Sequence, residues 1–195
     1  MTPSAAMGAR PELVKAPEHW LTPVELDRAA RFRFPADRQA FVAAHLLVRL
    51  CAAVVLETGA HRLTLLQHCD VHGPGHGRPY LKEAPDLGVS LSHTRGYVCA
   101  AAGPGRVGID AERVPEGAFE AELAARIGAP AEVRDNRALI RLWTRKEALV
   151  KRGELTLDTL ADEPELSGRH VLEWWEMPDM AVAVVSDEPT ERVAI

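Results

Sequence analysis

Two short segments, about 35 residues apart, constrain this chain more than anything else in it. In the first, Val107-Gly-Ile-Asp-Ala-Glu-Arg-Val114, apolar Val107, Ile109 and Ala111 alternate with Gly108, Asp110 and Glu112. That alternation is a strand with one face in a core, and it puts both carboxylates on the other face. In the second, Trp143-Thr-Arg-Lys-Glu-Ala-Leu-Val-Lys151, the pattern is helical. Trp143, Glu147 and Lys151 fall at i, i+4 and i+8 and share one helix face, with Lys146 beside it. A helix laid across the polar face of that strand would bring three carboxylates together, a set suited to Mg2+, which keeps waters and takes substrate phosphates as further ligands. The adjacent lysines suit those phosphates. A solvated strand face and a surface Glu–Lys pair could carry the same letters, but Trp143 on the shared face argues against full exposure.

The chain of 195 residues has room for one ordinary domain or two small ones in contact. Its 47% hydrophobic and 26% charged residues are globular values. Neither a membrane-spanning apolar run nor a signal-peptide core is evident, so no membrane association and a cytoplasmic location are expected. A net charge of −5 excludes general nucleic-acid affinity. Cys51, Cys69 and Cys99 do not form an even disulfide framework, and Cys51 and Cys99 sit in apolar segments expected to bury them. Of 23 basic residues only four are lysines, and two of those lie in the Trp143–Lys151 segment.

Along the chain, residues 1–25 read as a loose lead-in and Glu25–Arg33 as a helical stretch. A long apolar-striped helix is predicted from Arg38 to about Glu57, with Asp37 as its N-cap. A strand is predicted over 61–68, a Gly/His/Pro-rich loop over Cys69–Pro79, and short strands at about 79–82, 88–92 and 97–102. Helices are predicted over Phe119–Ile127 and Asn136–Lys151, and a hairpin over 169–176 and 180–185. The order of elements is α+β, with one long helix and several strands in each half: residues 1–104 and 105–195.

Other motifs are softer. Ser90-Leu-Ser-His93 ends an apolar strand with a hydroxyl and an imidazole, a pair suited to an anion; a structural histidine reads the same. Gly77-Arg-Pro79 offers an Arg beside a flexible Gly. Gly103-Pro-Gly-Arg-Val-Gly108 matches a dinucleotide fingerprint only in letters, because a strand follows where a helix must open. Cys69, His72 and His76 lack an obvious fourth zinc ligand. No Ser-centred hydrolase elbow surrounds Ser92.

In order, Gly77-Arg-Pro79, Ser90-Leu-Ser-His93, Gly108-Ile-Asp-Ala-Glu112 and Trp143-x-x-Lys-Glu-Ala-x-x-Lys151 resemble the 4′-phosphopantetheinyl transferases of the Sfp type, from about Arg28 to Lys151. The resemblance implies two similar α+β halves related by a pseudo-twofold, with the active site in the cleft between them. It implies transfer of the phosphopantetheine arm of coenzyme A to a serine of an acyl or peptidyl carrier protein, releasing 3′,5′-ADP. It implies Asp110, Glu112 and Glu147 as ligands of Mg2+ (or Mn2+). Lys146 and Lys151 would contact phosphates, Ser92 and His93 coenzyme A phosphates, and Arg78 the adenosine end. Arg28, Arg31 and Arg38 would be further phosphate contacts, Glu147 the general base, and the protein a monomer. Ala40 stands where relatives often place a phosphate-contacting Arg, and Arg152-Gly-Glu-Leu155 departs from a more basic segment. Three readings compete with transfer: a coenzyme A-binding protein without transfer activity, a Mg2+-dependent phosphohydrolase, and a purely structural interaction protein.

Overall fold

A computed structural model of the chain describes residues 3–71 and 73–195. Helix α1 (Pro23–Ala30) starts on a complete capping box. Thr22 Oγ1 accepts from the Glu25 N–H at 3.3 Å, and Glu25 Oε2 accepts from the Thr22 N–H at 2.7 Å. Helix α2 (Pro35–Val55) starts on Pro35, whose fixed φ suits the first helical position. Its N-cap is Phe34, with no side-chain cap, so Asp37 is not the N-cap. Asp37 lies in the first turn, where its charge meets the positive end of the helix dipole. By length and composition α2 could cross a membrane, but its apolar window is 72% buried within the fold, as befits a core helix.

Two sheet-and-helix units carry the molecule. In the first, β1 (Ser4–Ala9), α2, the hairpin of β4 (Leu87–Thr94) with β5 (Tyr97–Pro104), and the late strand β9 (Thr190–Arg192) give the sheet order β4-β5-β1-β9. In the second, β6 (Val107–Arg113), helix α4 (Asn136–Arg152) and the hairpin of β7 (His170–Glu176) with β8 (Met180–Ser186) give β6-β8-β7. Each runs strand–helix–hairpin, and in each the first strand pairs with the last. The short helix α3 (Ala121–Arg126) lies between β6 and α4. The small hairpin of β2 (Leu65–Cys69) and β3 (Gly73–Leu81) stands apart from both sheets.

Strand alternation sorts the core into layers. Met7, Val98, Ala100 and Ala102 face Ala44, Leu47 and Cys51 of α2. The opposite faces of the same strands turn Ala6, Cys99 and Ala101 toward Ile109, Val182 and Val184 of the second sheet. The far side of that sheet packs Val185 on Ala148 and Leu149 of α4. The layers therefore run α2, first sheet, second sheet, α4. Cys51 and Cys99 are buried, and desolvation pushes the Cys51 thiol up to about 12.

Two further expectations need correction. The lead-in contains β1, which lies inside a sheet with most of its residues buried. The loop at 69–79 is largely β3, paired with β2 through a bulge at Gln67/His68. Gly73, Gly75 and Gly77 take φ of 72°, 85° and 87°, which let a Gly-rich run bend into a strand. His72, part of the zinc reading, lies outside the described residues. The division at 104/105 falls in the β5–β6 turn, yet β9 (Thr190–Arg192) returns to pair in parallel with β1. The last strand of the chain thus completes the first sheet.

Candidate functional site

Gly108 brings the two signature segments together. A Cβ there would stand 1.9 Å from the Ala148 carbonyl oxygen, so only glycine lets α4 lie this close to β6. Two residues on, Asp110 turns toward the same helix and meets Lys151, Nζ to Oδ1 at 2.6 Å. Ser92 Oγ donates to that same oxygen at 2.8 Å, and Lys151 Nζ also reaches the Leu91 carbonyl at 3.3 Å. Strand β4 is held beside β6 by the Ile109 N–H, which donates to Ser90 Oγ at 3.1 Å. Asp110 is 4% exposed, and its second oxygen, Oδ2, is buried with no hydrogen-bond partner.

Glu112 and Glu147 share this environment. Burial, followed by the Asp110 charge, pushes the Glu112 carboxyl up to about 7; Lys151 and a hydrogen bond from Trp143 pull the other way. Burial and then Asp110 also raise Glu147, against Lys151 and Arg126. The Arg126 guanidinium lies over the Trp143 ring at 4.9 Å, at the outer end of this group. The three carboxylates are thus near enough to repel one another in a partly dehydrated setting. Among the described residues, no three His, Cys, Asp or Glu side chains are already drawn in as a ready metal-ligand set. The orphaned Asp110 Oδ2 and the two raised glutamates nevertheless fit a hard divalent cation, whose charge would relieve that repulsion.

Beside the carboxylates opens a cleft of about 530 Å³, walled by residues of α1, α2, β2, β3 and β4 and by Val150 and Lys151 of α4. It gathers positive charge in a chain that is acidic overall. Arg28 sits over the Phe41 ring at 5.1 Å and donates to Gln67 Oε1 at 2.8 Å. Arg78 lies against Gly153, whose Cβ position would be 1.8 Å from Arg78 Nη2. His93 touches solvent in the cleft, yet the surrounding walls lower its pKa by desolvation, and His45, Lys151 and Arg28 lower it further.

Of the residues expected to bind phosphate, Arg28, Arg78, Ser92, His93 and Lys151 line the cleft. Lys146 does not reach it. It is buried on the other side of α4, where Nζ donates to the Leu160 and Asp162 carbonyls at 2.6 and 2.9 Å. Its place next to Glu147 in the sequence put it beside that face, but its long stem reaches the loop that follows the helix. Arg31 ends α1 and points to solvent, and Arg38 pairs with Glu18 at 2.6 Å; neither lines the cleft.

Three cleft residues escaped the sequence reading: Phe41, His45 and Gln67. His45 is clamped from behind by Glu25, which accepts from His45 Nδ1 at 2.7 Å and from Arg49 at 2.9 and 2.7 Å. Burial keeps His45 below the usual imidazole range, so Arg49 supplies the positive partner of Glu25. A His and an Arg at i and i+4 inside an apolar helix were the available signal. Compared with known proteins, the sequence matches no family model and no curated protein.

Proposed function

We propose that this chain is a Mg2+-dependent phosphopantetheinyl transferase of the Sfp type, which moves the phosphopantetheine arm of coenzyme A onto a serine of a carrier protein. The observation that carries the reading is the junction of a cation-lined cleft with the Asp110–Glu112–Glu147 group. Arg28, Arg78, His93 and Lys151 beside a volume of about 530 Å³ suit the phosphates of a nucleotide. The shared strand–helix–hairpin connectivity of the two sheets supports a pair of halves related by a pseudo-twofold, with this cleft at their junction.

Asp110, Glu112 and Glu147 would hold the metal. When bound, Mg2+ would neutralise charge on the pyrophosphate and its leaving group. Arg28, Arg78, Ser92 and His93 bind and orient the nucleotide end of coenzyme A. The carrier serine oxygen attacks the β-phosphorus, a new P–O bond forms, and the bond to 3′,5′-ADP breaks. The serine proton passes to Glu147, whose carboxylate is made more basic than a free one by burial and the Asp110 charge. Lys151 offsets the negative charge that develops on the transferring group.

Intact-protein mass spectrometry of apo carrier proteins, incubated with this chain, coenzyme A and Mg2+, tests the reading. A gain of one phosphopantetheine, abolished by EDTA and by Glu147→Ala, is expected. Release of phosphate from coenzyme A without a carrier would replace transfer with hydrolysis. His93→Ala should chiefly weaken coenzyme A binding, and unchanged affinity would remove His93 from the site.

A further inference from the structure

Lys151 occupies a position that a phosphate-binding lysine does not need. Its ammonium sits 2.6 Å from Asp110 Oδ1, and its side chain is 28% exposed while that of Asp110 is 5% exposed. It thus stands in the wall between the open cleft and the buried Asp110 with its half-buried glutamate neighbours. Among the described residues, no other ion pair reaches Asp110, Glu112 or Glu147. Asp110 Oδ1 already accepts from both Lys151 and Ser92, while Oδ2 lies bare.

We propose that Lys151 is the built-in counter-cation of the metal-free site: it holds Asp110 in place of a divalent ion and exchanges Asp110 for a ligand phosphate when the ion arrives. The inference rests on the metal reading above. A divalent ion bound to Asp110 lies about 2 Å from its oxygen. An ammonium held at 2.6 Å from the same carboxylate would then face two positive charges at short range. The Lys151 side chain also lines the cleft, so its flexible stem can turn the ammonium toward a bound phosphate without moving α4. The ion pair therefore opposes metal binding until an anion draws Lys151 away, and metal and nucleotide assist each other. In the resting protein the same pair holds the Asp110 carboxylate in its orientation, which maintains the site between turnovers.

Titration with Mn2+ alone, followed by its electron spin resonance signal, tests this without any turnover. Lys151→Met should bind Mn2+ about tenfold more tightly than the wild type, within the ordinary range of coupling between sites. Adenosine 3′,5′-bisphosphate should raise Mn2+ affinity in the wild type, and raise it less in Lys151→Met. A lysine serving only the ligand phosphate would leave Mn2+ affinity unchanged in the variant, and that result, or weaker binding, would overturn the proposal. If Lys151→Met does not fold, Lys151→Gln carries the same prediction. Undiminished Mn2+ binding by Asp110→Asn would remove the metal reading itself, whereas reduced binding there with no gain in the Lys151 variant would remove only the role of Lys151.

Discussion

Single atoms decide several features of this molecule. Gly108 is a spacing device, because the Ala148 carbonyl occupies the place of any side chain. Gly108→Ala should lower stability by at least about 1–3 kcal/mol, the usual cost of overpacking, and should move α4 off the carboxylates. Urea unfolding checks this, and an unchanged midpoint would mean that the helix yields freely. Lys146 binds two carbonyls of the segment after α4, so Lys146→Met should cost roughly 1–3 kcal/mol, chiefly through the buried Leu160 carbonyl left unpaired. Nucleotide affinity should stay as in the wild type; a selective loss of affinity would return Lys146 to the site. Glu25 gives a pH signature. Burial alone would raise its carboxyl, but hydrogen bonds from His45 and Arg49 and the Arg49 charge hold it at about 2. A depressed carboxyl stabilises the fold above its unfolded pKa. The contribution, on the order of 3 kcal/mol, should therefore be complete above about pH 4.5 and be lost as pH falls toward 2. Glu25→Gln should flatten that part of the stability–pH curve; an unaltered acid limb would show that other carboxylates set it.

Among the elements, those whose side chains announce their partners were legible, and those built from small residues were not. β6 and α4 carry their alternation and their 3.6-residue stripe openly, and both appear where expected. β1 reads Ser-Ala-Ala-Met-Gly-Ala, residues with little strand preference. It is a strand because it lies between α2 on one face and the second sheet on the other, where only small side chains fit. The end of α4 shows the same dependence on neighbours. Gly153 takes φ 77° to cap the helix, and the Arg78 guanidinium rests on it. Gly153→Ala should cost about 1 kcal/mol in backbone strain and displace Arg78 from the cleft wall, weakening binding of adenosine 3′,5′-bisphosphate. Calorimetry measures both, and intact affinity would separate Arg78 from the nucleotide.

At the scale of the whole molecule, charge is distributed against the average. The chain carries a net charge of −5, yet Arg28, Arg78 and Lys151 converge on one cleft. Nucleotide affinity should therefore fall with added salt, because cleft cations act partly through solvent. Insensitivity between low and high ionic strength would point to neutral contacts instead. The layered arrangement also ties the two halves together, since β9 runs from the second unit back to the edge of the first sheet beside β1. A cut at the β5–β6 turn would thus leave the first sheet without that strand.

The sequence by itself determined which side chains could meet: carboxylates two apart on a strand, and Trp143, Glu147 and Lys151 in line on a helix, because periodicity is a local property. It also carried the burial of Cys51 and Cys99. Tertiary structure alone decided where long side chains ended. Lys146 and Lys151 stand five residues apart on one helix, yet one anchors a loop and the other holds Asp110. It alone placed His45, Phe41 and Gln67 in the cleft and turned a Gly-rich stretch into β3. The reason is physical: backbone periodicity sets the direction in which a side chain leaves, but only the packed neighbours offer the partner that it reaches.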